Sequence, residues 1–260
     1  MIDSRLAARY KCYCEGLRYL VKGGRMAIGT TARARRPCGS NTATQPRRTP
    51  TTERHVYYGE KFNAFTHLGA AVLALPAAIV LIVLAALDGD PWRVASISIY
   101  GLSLVLLYLF STLYHSLRGR HKIVLRKLDH ESIYLLIAGS YTPFCLVTLR
   151  GPWGWTLFGV VWGLAVIGGV QELRPIGQAR ILSVVIYLVM GWVALVALVP
   201  LLRALGTAGF AWVATGGVFY TVGIVFYALD SRLSWAHGVW HLFVIAGSAI
   251  HYVAILHYVL

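Results

Sequence analysis

Charge is scarce in this chain, and acidic charge scarcer still: 13% of its 260 residues are charged, with 10 acidic side chains against 24 Lys and Arg. Soluble domains carry roughly a quarter charged residues, so the usual water-facing exterior is missing. Cysteine is too sparse for a disulfide framework. Cys12, Cys14, Cys38 and Cys145 have no spacing typical of a thiolate metal site, and the Cys12 and Cys14 pair stands isolated in a polar segment. The first 50 residues hold no apolar run long enough to span a bilayer or form a secretory core. The alternation of a membrane β-barrel is absent as well, which removes the sequence signature of a barrel-forming toxin.

What the chain has in excess is apolar surface. It is 57% hydrophobic with a mean hydropathy of +0.63, more than a soluble fold of this length can bury. The expected class is therefore all-α, an integral membrane bundle. Windows of about 20 apolar residues predict seven helical spans, at 63–87, 94–116, 128–149, 154–172, 179–202, 210–229 and 238–260. Glycine and proline inside these spans are ordinary in bilayer helices, where close neighbours compensate for them.

Two parts follow from composition: residues 1–55, a basic tail, and residues 56–260, the membrane domain. The first 50 residues hold 11 Lys and Arg against Asp3 and Glu15 and then run into Thr, Pro and Ser. A disordered, solvated cytoplasmic tail, or a start codon assigned upstream of Met26, explains this better than binding to headgroups or nucleic acid. No nucleic-acid partner is expected for the membrane domain.

Loop charge sets the orientation. Arg118, Arg120, Lys122, Arg126, Lys127, Arg174, Arg180 and Arg232 fall in the even-numbered loops, whereas the odd ones carry Arg93, Arg150 and Arg203. The positive-inside rule puts the N-terminus and the even loops in the cytoplasm, and seven spans leave the C-terminus outside.

This topology brings ionisable residues to one depth. His115 ends the second span with Ser111 a turn before it, Asp129 opens the third, and His237 and His241 open the seventh. On a helix the last two share a face, with Cβ atoms roughly 6 Å apart. Taken alone, His115 reads as a hydrated helix-end residue, and HxxxH also arises by chance in a chain with nine His. Convergence on one leaflet favours a shared metal ion, because ionisable groups at membrane depth are costly unless paired, hydrated or metal-bound. His251 lies about 15 Å deeper than His241 on another face and cannot share that ion. Solvated roles suffice for His55, His121, His130 and His257.

The first span opens with Glu60, Asn63 and His67, spaced three and four along one helix face. Two readings stand side by side: a helix-terminal acid with an interhelical hydrogen-bonder, or one wall lining a polar cavity.

These motifs together resemble the hemolysin III family, which belongs with the progestin and adipoQ (adiponectin) receptors. The resemblance rests on E-x-x-N-x-x-x-H at Glu60 to His67, S-x-x-x-H at Ser111 to His115, and the run from Asp129 to Phe144. H-x-x-x-H followed by G-S-x-x-H-Y at the end of the chain completes it, so the likeness covers roughly residues 56–260 in order. It implies seven helices with the N-terminus inside and a zinc cofactor near the cytoplasmic leaflet. His115, His237 and His241 would be its ligands, Asp129 would reach it through water, and Ser111 would lie beside it. The wider superfamily includes alkaline ceramidases, which cleave a lipid amide.

Three protein ligands leave zinc an open position, the arrangement of catalytic rather than structural sites. The first expectation is thus a zinc-dependent hydrolase of a lipid amide or ester in the cell membrane. Asp129 would act as the base, Ser111 as a hydrogen-bond donor to the oxyanion, and a membrane lipid as substrate. A pore-forming cytolysin and a lipid-responsive receptor with structural zinc are the other classes.

Overall fold

The structure, a computed structural model, describes residues 57–173 and 180–260. The tail at 1–55, with Cys12, Cys14, Cys38 and His55, lies outside the described residues, as does Arg174.

Every regular element among the described residues is helical. They are α1 (Tyr57–Asp88), α2 (Pro91–Ser116), α3 (Lys122–Pro143), α4 (Pro152–Glu172), α5 (Arg180–Trp192), α6 (Leu198–Leu229) and α7 (Ala236–Tyr258). Their ends follow local chemistry. Asp90 caps α2 by accepting from the Trp92 backbone N–H at 3.0 Å, and Pro91 and Pro152 open α2 and α4 where no intrahelical donor is needed. Past Pro143, α3 widens into one π-helical turn, Phe144–Thr148, and α5 tightens into a 3₁₀ turn, Val193–Ala197.

Five runs are long and apolar enough to cross a membrane: Glu60–Asp88, Pro91–Ser116, Pro152–Glu172, Ile181–Leu229 and Ala236–Tyr258. Two features separate this number from the seven spans predicted. The α3 helix is 22 residues long but carries Lys122, Arg126, Lys127, Asp129 and Glu131 in its first half, which depresses its hydropathy. The run from Ile181 to Leu229 holds 49 residues without a loop, although Gly206 interrupts it with φ 67° and ψ 174°. That combination is open essentially to glycine alone.

In the bundle α1 packs on α2 and α7, α2 on α3, and α6 on α7. One buried cluster draws Leu81, Tyr100, Leu104, Tyr108, Val244 and Ile255 from α1, α2 and α7. A second joins Tyr134, Ala138, Val161, Ala165, Ile186 and Met190 across α3, α4 and α5. Outward faces are as apolar as the interior: Val72, Leu73, Ile79 and Leu87 on α1 all lie exposed. Such a surface is tolerable only against lipid.

Gly206 gives this architecture a specific test. Gly206→Ala should lower the melting temperature in detergent, by the ~1–3 kcal/mol cost of an L-residue at that φ and ψ. Gly159→Ala, mid-helix and with nothing within 4 Å of an added Cβ, should not lower it. Equal melting of both variants would mean that the break is not held in solution.

Candidate metal centre

The chain reverses between α6 and α7 in a compact turn. Backbone bonds from Arg232 and Leu233 to the Leu229 carbonyl and from Ala236 to Leu233 hold it at 2.9–3.0 Å. The turn folds Asp230 back onto the start of α7, where its Oδ2 lies 3.1 Å from Nδ1 of His237. A carboxylate there accepts Nδ1–H and fixes the tautomer, leaving the Nε2 lone pair of His237 free for a metal. One helical turn later comes His241, 2% exposed. Gly238 between them lets α1 approach closely, since a Cβ there would sit 3.1 Å from Asn63 Oδ1.

From α2, the His115 ring completes a triangle, with ring centroids 5.2 Å from His237 and 5.0 Å from His241, which are 4.8 Å from each other. One ligand nitrogen from each lies within 4.8 Å of the other two. Both nitrogens of His115, Nε2 of His237 and Nδ1 of His241 are buried and have no hydrogen-bond partner, and the same holds for both nitrogens of the neighbouring His67. Three partnerless imidazole lone pairs facing one another fit a divalent transition metal of zinc's type, which takes neutral imidazole readily.

Asp129 lies beside this triangle, buried at 9% exposure, with the Ser111 hydroxyl in hydrogen-bonding reach of its carboxylate. Both line one cavity with His67, His237 and His241, about 100 Å³ measured as space open to the centre of a water molecule. Its far walls are apolar, among them Leu107, Ile133, Leu136 and Val244.

The stripe on α1 divides. His67 lines the cavity and stacks on His241, with centroids 3.6 Å apart and planes 12° apart. Parallel rings point their lone pairs side by side, so in this arrangement His67 buttresses His241 instead of joining the triangle. Asn63 is buried against Gly238, and Glu60 is ion-paired to Lys122 at 2.7 Å; neither is among the residues lining this cavity.

Two residues here were not legible from helical spacing. Asp230 precedes its partner across a turn, where no helix period applies. For His130 the sequence suggests a solvated role, and the structure corrects this: it lines the cavity and pairs with Glu172 at 3.3 Å. Glu172 in turn accepts from Ser183, so the pair belongs to a network tying α3 to α4 and α5. Its position directly after Asp129 was the available signal. His251 lies deeper on α7, bonded through Nε2 to the Val213 carbonyl at 3.1 Å.

Comparison with known proteins now assigns the chain. The family model described as haemolysin-III related matches residues 56–252. The chain belongs to the haemolysin III family. It is 44% identical to Hemolysin-3 of Bacillus cereus over 199 residues, covering 76% of this chain and 90% of that one. The Hemolysin-3 homolog of Bacillus subtilis (strain 168) is 43% identical over 197 residues, 75% and 92% of the two chains. The human monocyte to macrophage differentiation factor is 30% identical over 208 residues, 77% and 84% of the two. This last likeness ties haemolysin III to the progestin and adipoQ receptor superfamily. With its five long apolar runs, this haemolysin III relative is a multi-pass membrane protein.

The role of Asp230 is open to direct measurement. Asp230→Asn should weaken metal binding by about 10–100-fold, as loss of an outer carboxylate does elsewhere, and His241→Ala should remove the metal. Chelator competition followed by elemental analysis of purified protein checks both. Unchanged affinity in Asp230→Asn would separate that carboxylate from the metal site.

Proposed function

We propose that this haemolysin III protein is a zinc-dependent intramembrane hydrolase of acyl lipid amides or esters, built on seven membrane crossings. The observation that carries the proposal is the triangle of His115, His237 and His241, each with a partnerless nitrogen, of which His237 and His241 line a largely apolar cavity together with the buried carboxylate of Asp129.

The seven crossings follow from lengths. At 1.5 Å per residue the run from Ile181 to Leu229 would extend about 74 Å, more than twice the ~30 Å hydrocarbon core, so the break at Gly206 divides it into two crossings. The α3 helix supplies another, since its charges cluster at one end and Ser132 to Pro143 carry none. Positive charge at the start of α3 supports a histidine end in the cytoplasmic leaflet.

Bound zinc would supply Lewis-acid polarisation of a carbonyl and activation of water near neutral pH. The protein's own groups do the rest. His115, His237 and His241 would hold the ion, and Asp230 would keep His237 in the ligating tautomer. Asp129, steadied by Ser111, accepts a proton from the attacking water as its oxygen bonds to the acyl carbon. The same carboxyl returns that proton to the leaving nitrogen or oxygen as the old bond to the acyl carbon breaks. The apolar walls seat the acyl chain and exclude bulk water.

Asp129→Asn separates catalysis from bracing. The variant should keep its zinc and its melting temperature while hydrolysis of a long-chain N-acyl amide or ester in vesicles falls about 10²–10⁴-fold. Full turnover in the variant, or none in wild type with zinc bound, would contradict the proposal. Dye leakage from the same vesicles with the zinc site emptied would favour a pore instead.

A further inference from the structure

The cavity at the metal centre meets a second one, about 70 Å³ by the same measure. Six residues line both: Ser140, Tyr141, Gly191, Trp192, Gly217 and His251. They form a waist where the helices are cross-tied. Tyr141 on α3 donates to the Gly191 carbonyl at 2.9 Å and accepts from Ala194 N–H at 3.2 Å. Trp192 Nε1 donates to Thr221 on α6 at 3.0 Å, and His251 on α7 reaches the Val213 carbonyl of α6 at 3.1 Å. These bonds join four helices around the waist, spread over about 12 Å of α6 from Val213 to Thr221. Beyond it the second chamber is apolar, walled by Phe144, Cys145, Leu149, Leu157, Leu201 and Phe210.

Depth gives the waist a meaning. Roughly 15 Å of helix separates Asp129 from Ser140, and likewise His241 from His251. That is half of a ~30 Å hydrocarbon core, the reach of one leaflet. An acyl chain with its carbonyl at the histidines fills the first chamber when it is about one leaflet long. Anything longer must pass the waist.

We propose that the second chamber is a subsite for the distal segment of a long acyl chain, and that the waist sets chain-length preference. The proposal rests on the reading of the first chamber as an acyl-lipid site. Gly217 is the point of control on α6: an added Cβ would meet nothing within 4 Å, so a larger side chain there projects into open space at the waist. Ala214, one turn away, faces the second chamber and is not among the residues lining the first.

Displacement of a fluorescent fatty acid from the full-length protein in nanodiscs, by stearate and by laurate, reads the preference. With the two acids compared at equal concentration in the bilayer, which removes the partitioning from water that protein and lipid share, wild type should favour stearate by at least about tenfold. In Gly217→Leu and Ala214→Phe the stearate-to-laurate ratio should fall toward one. A ratio near one in wild type, or a wild-type ratio retained in both variants, would overturn the subsite while leaving the first chamber as a lipid site. Binding of neither acid by wild type would overturn both readings together.

Discussion

An imidazole inside a membrane protein needs partners for its nitrogens, and the histidine end of this bundle brings together three rings that each keep at least one buried nitrogen without a partner. The packing around them serves their placement. The α6–α7 turn delivers Asp230 to His237, the bare backbone of Gly238 admits α1, and the stacked His67 ring backs His241. Leaving each buried polar group unsatisfied costs about 1–3 kcal/mol. A protein stable by about 5–15 kcal/mol in total does not carry several such losses at one point without return. A shared metal ion would satisfy one nitrogen on each of the three rings; the second nitrogen of His115 and both of His67 stay buried without a hydrogen-bond partner.

Much of the fold was legible because bilayer thickness imposes a length and helices impose a period. His237 and His241 were visible as a pair from spacing, and loop charge aligned His115 and Asp129 with them before any contact was known. What escaped detection shares a physical cause. Asp230 acts across a turn, and His130 acts through partners on other helices, so neither leaves a mark on the periodicity of its own segment. Spacing on α1 likewise grouped Glu60, Asn63 and His67. The structure gives them an ion pair, a helix contact and a cavity wall respectively. A shared face is a statement about one helix, whereas lining a cavity depends on which neighbours stand opposite.

The break at Gly206 inside α6 shows the same limit from the other side. Hydropathy predicts two spans with a gap near 202–210, while the chain runs on in helical form and changes direction at one glycine. A backbone state that only glycine reaches easily can end a crossing without any polar loop. The site and the waist then appear as two levels of one cavity: polar and partnerless where chemistry is proposed, apolar and cross-tied where a chain would lie.

X-ray absorption at the zinc edge on purified, full-length protein, with elemental analysis for stoichiometry, tests whether His115, His237 and His241 hold zinc. A three-histidine zinc site should give one zinc per chain with three imidazole nitrogens at about 2.0–2.1 Å, a fourth light-atom ligand and no sulfur. Metal-free protein that is folded, or zinc in a sulfur environment, would contradict it.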